Sequence, residues 1–555
     1  MMLAALTLAS LGLLVWASDL CPPACRCFDN LTTVDCRDKG LAQIPLLMTN
    51  LTKLLLRDNH LASLLPGQFL NCPALVFLDL SKNHIHHLTP RFLNGLANLK
   101  TLILSHNRIE TLQAEVLEDV VGLTELHLNF NRLREIESGV FRRSAMLRKL
   151  DLSNNRIVKV EDGSFRGAAG LKHLDLSGNQ LVTIPADSFS SLTELHHLNL
   201  MSNNLTDLSD RSLSGLTNLT ELDLSCNRLS SLPSKVFKDL AKLKFLDLYR
   251  NRLTELPPEV FRSLINLSAL QLDGNQISML PPEVFAASHK LQDLQLSHNH
   301  ILELHPALFA NMSSLQNLQL AHNALTLLPE DLFHKLQALK ELHLQYNHIT
   351  VLHQSVFDGL PNVTRVDLSN NRISSLHPDQ FRDLSKLKHL KLDRNQLAKL
   401  PSNLFTALGK LVTLDLGHNN LSDVDIFYLC NWLKVNREKL NDKPVCYFPS
   451  ESKSALFLLD HCAAAARSPP TLGADEGPVA AGSVDGLVRF ELQQVAEGFL
   501  ADPAGQGRLP LTPAPLRPSH PRPGLHQAFS TDGVNRVVQL HLKHDGTLWF
   551  VAKIV

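Results

Sequence analysis

Leu171-Lys172-His173-Leu174-Asp175-Leu176-Ser177-Gly178-Asn179-Gln180-Leu181 is one line of a text that this chain writes sixteen times. The general form is L-x-x-L-x-L-x-x-N-x-[LI]. Its asparagine falls at Asn59, at Asn83 and then every 24 residues to Asn419, with no insertion. Only Val366 replaces a leucine of the L-x-L core. We number the repeats 1 to 16 by these asparagines. Alternation with period two predicts a short strand with one buried face. A single copy holds too few leucines to bury them alone, so the copies must stack and share a continuous core. Sixteen parallel strands about 4.8 Å apart give an inner edge of roughly 75 Å. The asparagine stands where the chain turns out of the strand. Its amide offers two hydrogens and an acceptor to backbone groups that the turn leaves unpaired, which predicts a buried asparagine ladder.

Ten residues after each asparagine runs a second column. It includes Phe69, Phe141, Phe165, Phe189, Phe237 and Phe261 and continues to Phe405, with Leu93, Leu117 and Leu213 in the gaps. This reads as an aromatic spine inside the convex side. Leu-Pro steps such as Leu232-Pro233 and Leu256-Pro257 predict short turns there rather than long helices.

The chain opens on an apolar run, residues 1–17, ending in Val15-Trp16-Ala17, which reads as a signal peptide cut after Ala17. Cys21, Cys25, Cys27 and Cys36 follow at C-x3-C-x-C-x8-C spacing. Clustered thiolates can bind zinc, but no histidine lies near them, and a secreted chain favours disulfides. Basic and acidic residues balance at 53 against 54, which speaks against a nucleic-acid binder. No phosphate loop, zinc-protease motif or nucleophile elbow is present, so no enzyme, cofactor or metal is expected. Sequons stand at Asn30, Asn50, Asn204, Asn218, Asn266, Asn311, Asn362 and Asn420. Asn50, Asn218, Asn266 and Asn362 share the slot before the first leucine, and glycans there would line one lateral edge. Cys72 and Cys226 read as inert thiols. His298, His300, His322, His343 and His348 gather in repeats 11–13, either as a solvated surface or as a metal or pH-sensing patch.

The 24-residue line and the opening Cys21-Pro22-Pro23-Ala24-Cys25-Arg26-Cys27-Phe28 resemble the extracellular leucine-rich-repeat proteins with an N-terminal cysteine cap. The resemblance implies an α/β solenoid, or horseshoe, with a parallel concave sheet and an irregular convex side. It also implies the pairings Cys21–Cys27 and Cys25–Cys36. Near the end, Phe427 to Asn436, then Pro444-Val445-Cys446 and Cys462, resemble the C-terminal cap of that family. Where the family has C-x-C before the tryptophan, this chain has Ser422 and Val424. The cap is therefore partial, with Cys446 expected to pair with Cys462 or Cys430. The subgroup that holds platelet glycoprotein V, the carboxypeptidase N regulatory subunit and the acid-labile subunit is similar.

The organisation expected is a signal peptide (1–17), N-terminal cap (18–50), sixteen repeats (51–421), degenerate C-terminal cap (422–462), disordered Pro-rich linker (463–533) and a possible hairpin (534–555) with an Asp545-Gly546 turn. No membrane span is expected, and the product should be secreted to the extracellular space or matrix. The resemblance implies a protein ligand: a matrix component, a receptor or a secreted enzyme. The reading is concave-face binding in adhesion or matrix contact; the alternative is a non-catalytic subunit that stabilises a secreted enzyme. The L-D-L-S-x-N-R text repeats an aspartate and an arginine, so departures from it single out the ligand-binding candidates. They are Phe245, Tyr249, Arg250 and Arg252 in repeat 9, and Leu55, Phe77, Ile103 and Phe130 in repeats 1–4.

Overall fold

A computed structural model describes residues 21–421, Trp432 and the strands Val445–Ser450, Lys453–Phe457, Arg536–Leu542 and Leu548–Ile554. Residues 1–17, expected as a signal peptide, Ser422, Val424, Cys430, Cys462 and residues 463–533, expected as a linker, lie outside the described residues, and Cys446 is described only through its strand backbone. Contacts divide the chain into two units, residues 1–469 and 470–555. The second unit contains the antiparallel pair Arg536–Leu542 and Leu548–Ile554.

The first unit is a solenoid of sixteen coils. Each L-x-L core forms a three-residue strand, and each strand pairs in parallel with the same three residues of the next repeat. Leu222, Leu246 and Leu270 are in register, for instance, and fully buried, while the residues beside them stay half-exposed. Behind the sheet the Phe column is buried, with rings in consecutive coils 5.7 to 6.5 Å apart. Strands pair at about 4.8 Å. Each coil is therefore wider at the phenylalanine than at the strand, and the stack bends with the sheet inside. Pro-containing turns keep the outer side irregular; within residues 21–421 the sole helical element is the 3-10 turn Ala114–Val116.

The ladder is built by one side chain per coil. Asn251 Nδ2 donates to the carbonyls of Leu224 (3.0 Å) and Leu248 (3.1 Å), and its Oδ1 accepts from the Leu229 amide (3.1 Å). The same three bonds recur from Asn83 to Asn419, so each asparagine ties its coil to the one before. The turn that aims it has a cost. The residue before the asparagine is left-handed in all sixteen coils, from Asp58 (φ 62°) to His418 (φ 56°), and only Gly178 and Gly274 are glycine there. For other residues that conformation costs roughly 1–2 kcal/mol, which the ladder offsets.

Both edges of the sheet are paired. At the start, Arg26–Phe28 runs antiparallel to Thr33–Asp35, which lies parallel to the first repeat strand Lys53–Leu55. Disulfides Cys21–Cys27 and Cys25–Cys36 pin this hairpin, and Val34 and Cys36 bury against the first coil. At the other end Val445–Ser450 continues the parallel sheet beyond Thr413–Asp415, and Lys453–Phe457 turns back against it. Cys72 is buried, which pushes its thiol up to about 11.

Replacing Asn251 with alanine should cost about 1–3 kcal/mol, the price of leaving two carbonyls and an amide unpaired. Asn251→Asp should cost more, because a carboxylate would face the Leu224 and Leu248 carbonyls without a hydrogen to donate. Thermal denaturation ranks the two, and hydrogen exchange should locate the loss in repeats 8–10. An unchanged melting curve for the aspartate variant would contradict the ladder's role.

Candidate functional site

Among the described residues, two grooves gather the candidate side chains. The first is a groove of about 510 Å³ on the concave sheet across repeats 5–9. Period two sets its lining: residues either side of each buried leucine point out. One row holds Lys149, His173, His197, Glu221 and Phe245; the next holds Asp151, Asp175, Asn199 and Asp223. The His173 and His197 rings stack at 4.4 Å, and His197 Nδ1 sits 2.7 Å from Glu221 Oε2. Burial holds His173 below the usual histidine range, with His197 beside it adding to the shift. Four carboxylates against one lysine make this groove acidic.

Phe245 stands at one end of the groove. Its strand neighbours are Glu221 and the much smaller Ala269, so the ring is left partly uncovered. Asp247 and Tyr249 follow on the same face. Arg250 lies over the Tyr249 ring, 5.1 Å from its centroid. Gly274 in the next coil makes room for them: a Cβ there would come within 3.2 Å of Arg250 Cγ and 3.4 Å of Tyr249 Cε2. Arg252 is exposed beyond the ladder. Repeat 9 thus carries an aromatic ring, a carboxylate and a tyrosine on the concave side, while Arg250, expected there too, is left-handed (φ 51°) and caps the tyrosine from the flank.

The candidates of repeats 1–4 do not form one patch. Leu55 and Ile103 share a row but are separated by Asp79. Phe77 lies in the adjacent row with Lys53 Nζ 4.9 Å from its ring centroid. Phe130, 45% exposed, precedes a ladder asparagine and stacks on His106 at 4.3 Å. The recurrent aspartates are spent locally: Asp79, Asp151, Asp223 and Asp367 each accept from the amide and hydroxyl of the serine two residues on.

The second surface is the flank at the C-terminal ends of the strands, where the left-handed residues project. His298, His322 and Tyr346 form a continuous ring stack there, with centroids 4.1 and 4.2 Å apart. His300 and His348 stand beside them. His343 does not belong to this group. It lies within its strand, so its side chain is on the sheet face, where Nε2 is 3.3 Å from Glu341 Oε2. Tyr346 carried no histidine signal and was legible only through its slot.

The opposite flank holds the shared sequon column. Asn218, Asn266 and Asn362 each donate through Nδ2 to a carbonyl of the preceding coil, and Lys242, Lys290 and Lys386 each donate to their Oδ1 at 2.6 Å. Asn50, in the same slot, is exposed, and Asn311 donates to Ala286. Asn204 and Asn420 stand on the histidine-bearing flank, in repeats 7 and 16, and Asn30 in the N-terminal hairpin. Among the described residues no group of His, Cys, Asp or Glu is placed to hold a metal ion, and no helix is long and apolar enough to cross a membrane.

Burial pushes the Asp247 carboxyl up to about 6, with Asp223 and Asp273 adding repulsion against the Tyr249 amide, which donates to Asp247 Oδ1. An acid whose folded pKa is raised costs the fold nothing below its unfolded value of 3.8. The cost grows as pH rises to about 6 and is complete above it. Asp247→Asn keeps an acceptor for the Tyr249 amide. It should raise the melting temperature at pH 7.5 by on the order of 1 °C and give no gain at pH 3.5. A gain equal at both pH values would rule out the charge as its cause.

A "Leucine rich repeat" family model matches overlapping segments from residue 49 to residue 397, and a second matches 410–430. No curated protein matches. Among solved structures, a leucine-rich-repeat protein of Leptospira interrogans is 27% identical, with TM-score 0.56, over 75% of this chain and 94% of its own. The glycosylated Toll–Spätzle complex of Drosophila is 25% identical, with TM-score 0.58, over 72% of this chain; the match spans only 52% of that chain. A plant peptide hormone receptor, RGFR1, in complex with RGF2, is 26% identical, with TM-score 0.51, over 77% of this chain and 72% of its own. With repeat models covering well over half of its length, the chain belongs to the leucine-rich-repeat family.

Proposed function

We propose that this chain is an extracellular glycoprotein that binds a protein ligand on its concave face, in cell adhesion or matrix contact. The observation that carries the reading is the concave groove of repeats 5–9, about 510 Å³, closed at one end by the half-exposed Phe245. Its carboxylates favour a ligand surface with basic groups. Phe245, Tyr249 and Arg250 are of the types that dominate interface energetics, each worth ~2 kcal/mol or more at a hot spot. The similarity to RGFR1, solved with a peptide hormone, supports the same use of the fold. Export is supported by the apolar residues 1–17, by the Cys21–Cys27 and Cys25–Cys36 disulfides and by the sequons.

The second reading, a non-catalytic subunit that stabilises a secreted enzyme, rests on the resemblance to the subgroup that includes the carboxypeptidase N regulatory subunit. A pull-down from plasma or matrix separates the two: a stoichiometric peptidase would favour the second.

Screening the purified chain against an extracellular protein panel tests the first reading. For a ligand so found, alanine at Phe245, Tyr249 and Arg250 together should weaken binding at least about tenfold without lowering the melting temperature. Wild-type affinity in that triple variant, with loss in a variant of the sequon flank, would end the concave-face reading. Peptide mapping after glycosidase treatment should find glycan at one or more of Asn50, Asn218, Asn266 and Asn362. All four bare in protein from a secretory host would remove the edge-glycan proposal.

A further inference from the structure

A second groove, of about 740 Å³, runs along the flank at the C-terminal ends of the strands from repeat 11 to repeat 15. Its floor is the column of ladder asparagines, and its wall is the stack of His298, His322 and Tyr346. Three consecutive left-handed residues (φ 55°, 53° and 57°) aim these rings the same way, and their planes lie within 12° of parallel. Stacking covers the ring faces and leaves the polar edges outward; Tyr346 is 49% exposed. His300 and His348 line the groove from the column after the ladder, and Arg372 and Arg394 close its far end.

No carboxylate lines this groove. Two border it. Asp273 interacts with His298 from the coil below and also faces Arg250 and Asp293; Asp393 Oδ2 is 3.9 Å from Arg394 Nε, and burial, with Asp415 and Asp367 adding repulsion, pushes the Asp393 carboxyl up to about 6, so it too loses charge on acidification. His418 follows Arg394 in the same column. Around neutral pH the two arginines are offset by the two bordering aspartates. The lining then holds four imidazoles, the side-chain type whose charge changes between pH 5 and 8. Burial holds His322 below the usual histidine range, with His298 adding to it, so His322 charges late unless an anion faces it.

From these observations we infer that the flank groove of repeats 11–15 binds an acidic peptide segment of a protein partner, and does so more tightly as pH falls. Three features fit an extended peptide. Four steps of about 4.8 Å give a groove of roughly 19 Å, the length of about six extended residues. Imidazole and guanidinium edges offer hydrogens to carboxylates along it. The fixed cations in the lining are two arginines and no lysine, too sparse for a sulfated polysaccharide, which needs dense charge at every pH. This site is separate from the concave groove, whose carboxylates would repel the same segment.

Anisotropy with a labelled hexaglutamate peptide and the full chain tests the inference at pH 7.4 and 5.5. Glutamate side chains, with pKa about 4.3, remain ionised at both. Affinity should rise about tenfold or more on acidification. Glutamine at His298, His300, His322 and His348 together should cut that rise to the part that Asp393 supplies, while leaving the pH 7.4 affinity near wild type. Arg372→Gln with Arg394→Gln should weaken binding at both pH values. Alanine at Phe245, which lies in the concave groove away from Asp273, should change nothing, so failure here and failure of the concave reading are distinguishable. An unvaried chain gives a further readout, since the peptide should shift the His298 and His322 ring proton resonances and raise the pH of their titration. The inference is overturned by an affinity that does not rise at pH 5.5, by an equal rise in a folded variant lacking all four histidines, or by unmoved ring resonances. Tighter, pH-independent binding of a heparin oligosaccharide would likewise overturn it in favour of a polysaccharide.

Discussion

The solenoid depends on a trade made once per coil: a strained residue in exchange for a saturated asparagine. Each left-handed turn swings an amide into the gap between coils, where it replaces backbone partners that the short strand cannot supply. Nδ2 and Oδ1 of Asn251 reach three backbone groups in two coils. The bonds run between neighbours, so they set the stacking pitch as well as closing the turn. Leucines provide the burial, but they would tolerate slippage; the ladder and the matched L-x-L register do not. The phenylalanine column accompanies the bend, its rings standing 5.7 to 6.5 Å apart where the strands stand about 4.8 Å apart.

That trade also makes the two surfaces. Strand residues alternate inward and outward, giving the concave face its rows of half-exposed side chains. The strained residue cannot fold back into the coil, so its side chain is presented on the flank in every repeat except those of Gly178 and Gly274. Where sixteen such positions carry unrelated residues, the flank is unremarkable surface. Where three successive ones are His298, His322 and Tyr346, the pitch of the sheet brings their rings into contact. The two grooves differ in charge for the same positional reason. Asp and Glu fall in the strand rows at repeats 5–9, and Arg and His fall in the columns around the ladder at repeats 11–15.

Much of this was legible in the sequence because the period is strict. Asn59 to Asn419, the L-x-L strands and the Phe69 to Phe405 column could be placed before any coordinates, and Phe245 falls in the concave groove. What was not legible depended on geometry within a coil. Only two glycines, Gly178 and Gly274, mark a slot that is left-handed sixteen times, so composition hid the strain. His343 was grouped with His298, His322 and His348 by proximity in sequence, yet period two sends it to the sheet face. Leu55, Phe77, Ile103 and Phe130 are close in the chain but fall in three different columns. The repeated aspartates also have local work that the repeat text does not announce: Asp79, Asp151, Asp223 and Asp367 accept from the hydroxyls of Ser81, Ser153, Ser225 and Ser369 in addition to bringing charge to the face.

The central claim is that ligand binding uses the concave sheet that the ladder holds in register. Hydrogen–deuterium exchange on the full chain, with and without a captured extracellular ligand, tests it most directly. The account predicts new protection in the strand segments from Lys149 to Tyr249, with the phenylalanine-bearing turns and the sequon flank unchanged. Protection confined to those convex turns, or to the flank that carries Asn218, Asn266 and Asn362, would contradict it.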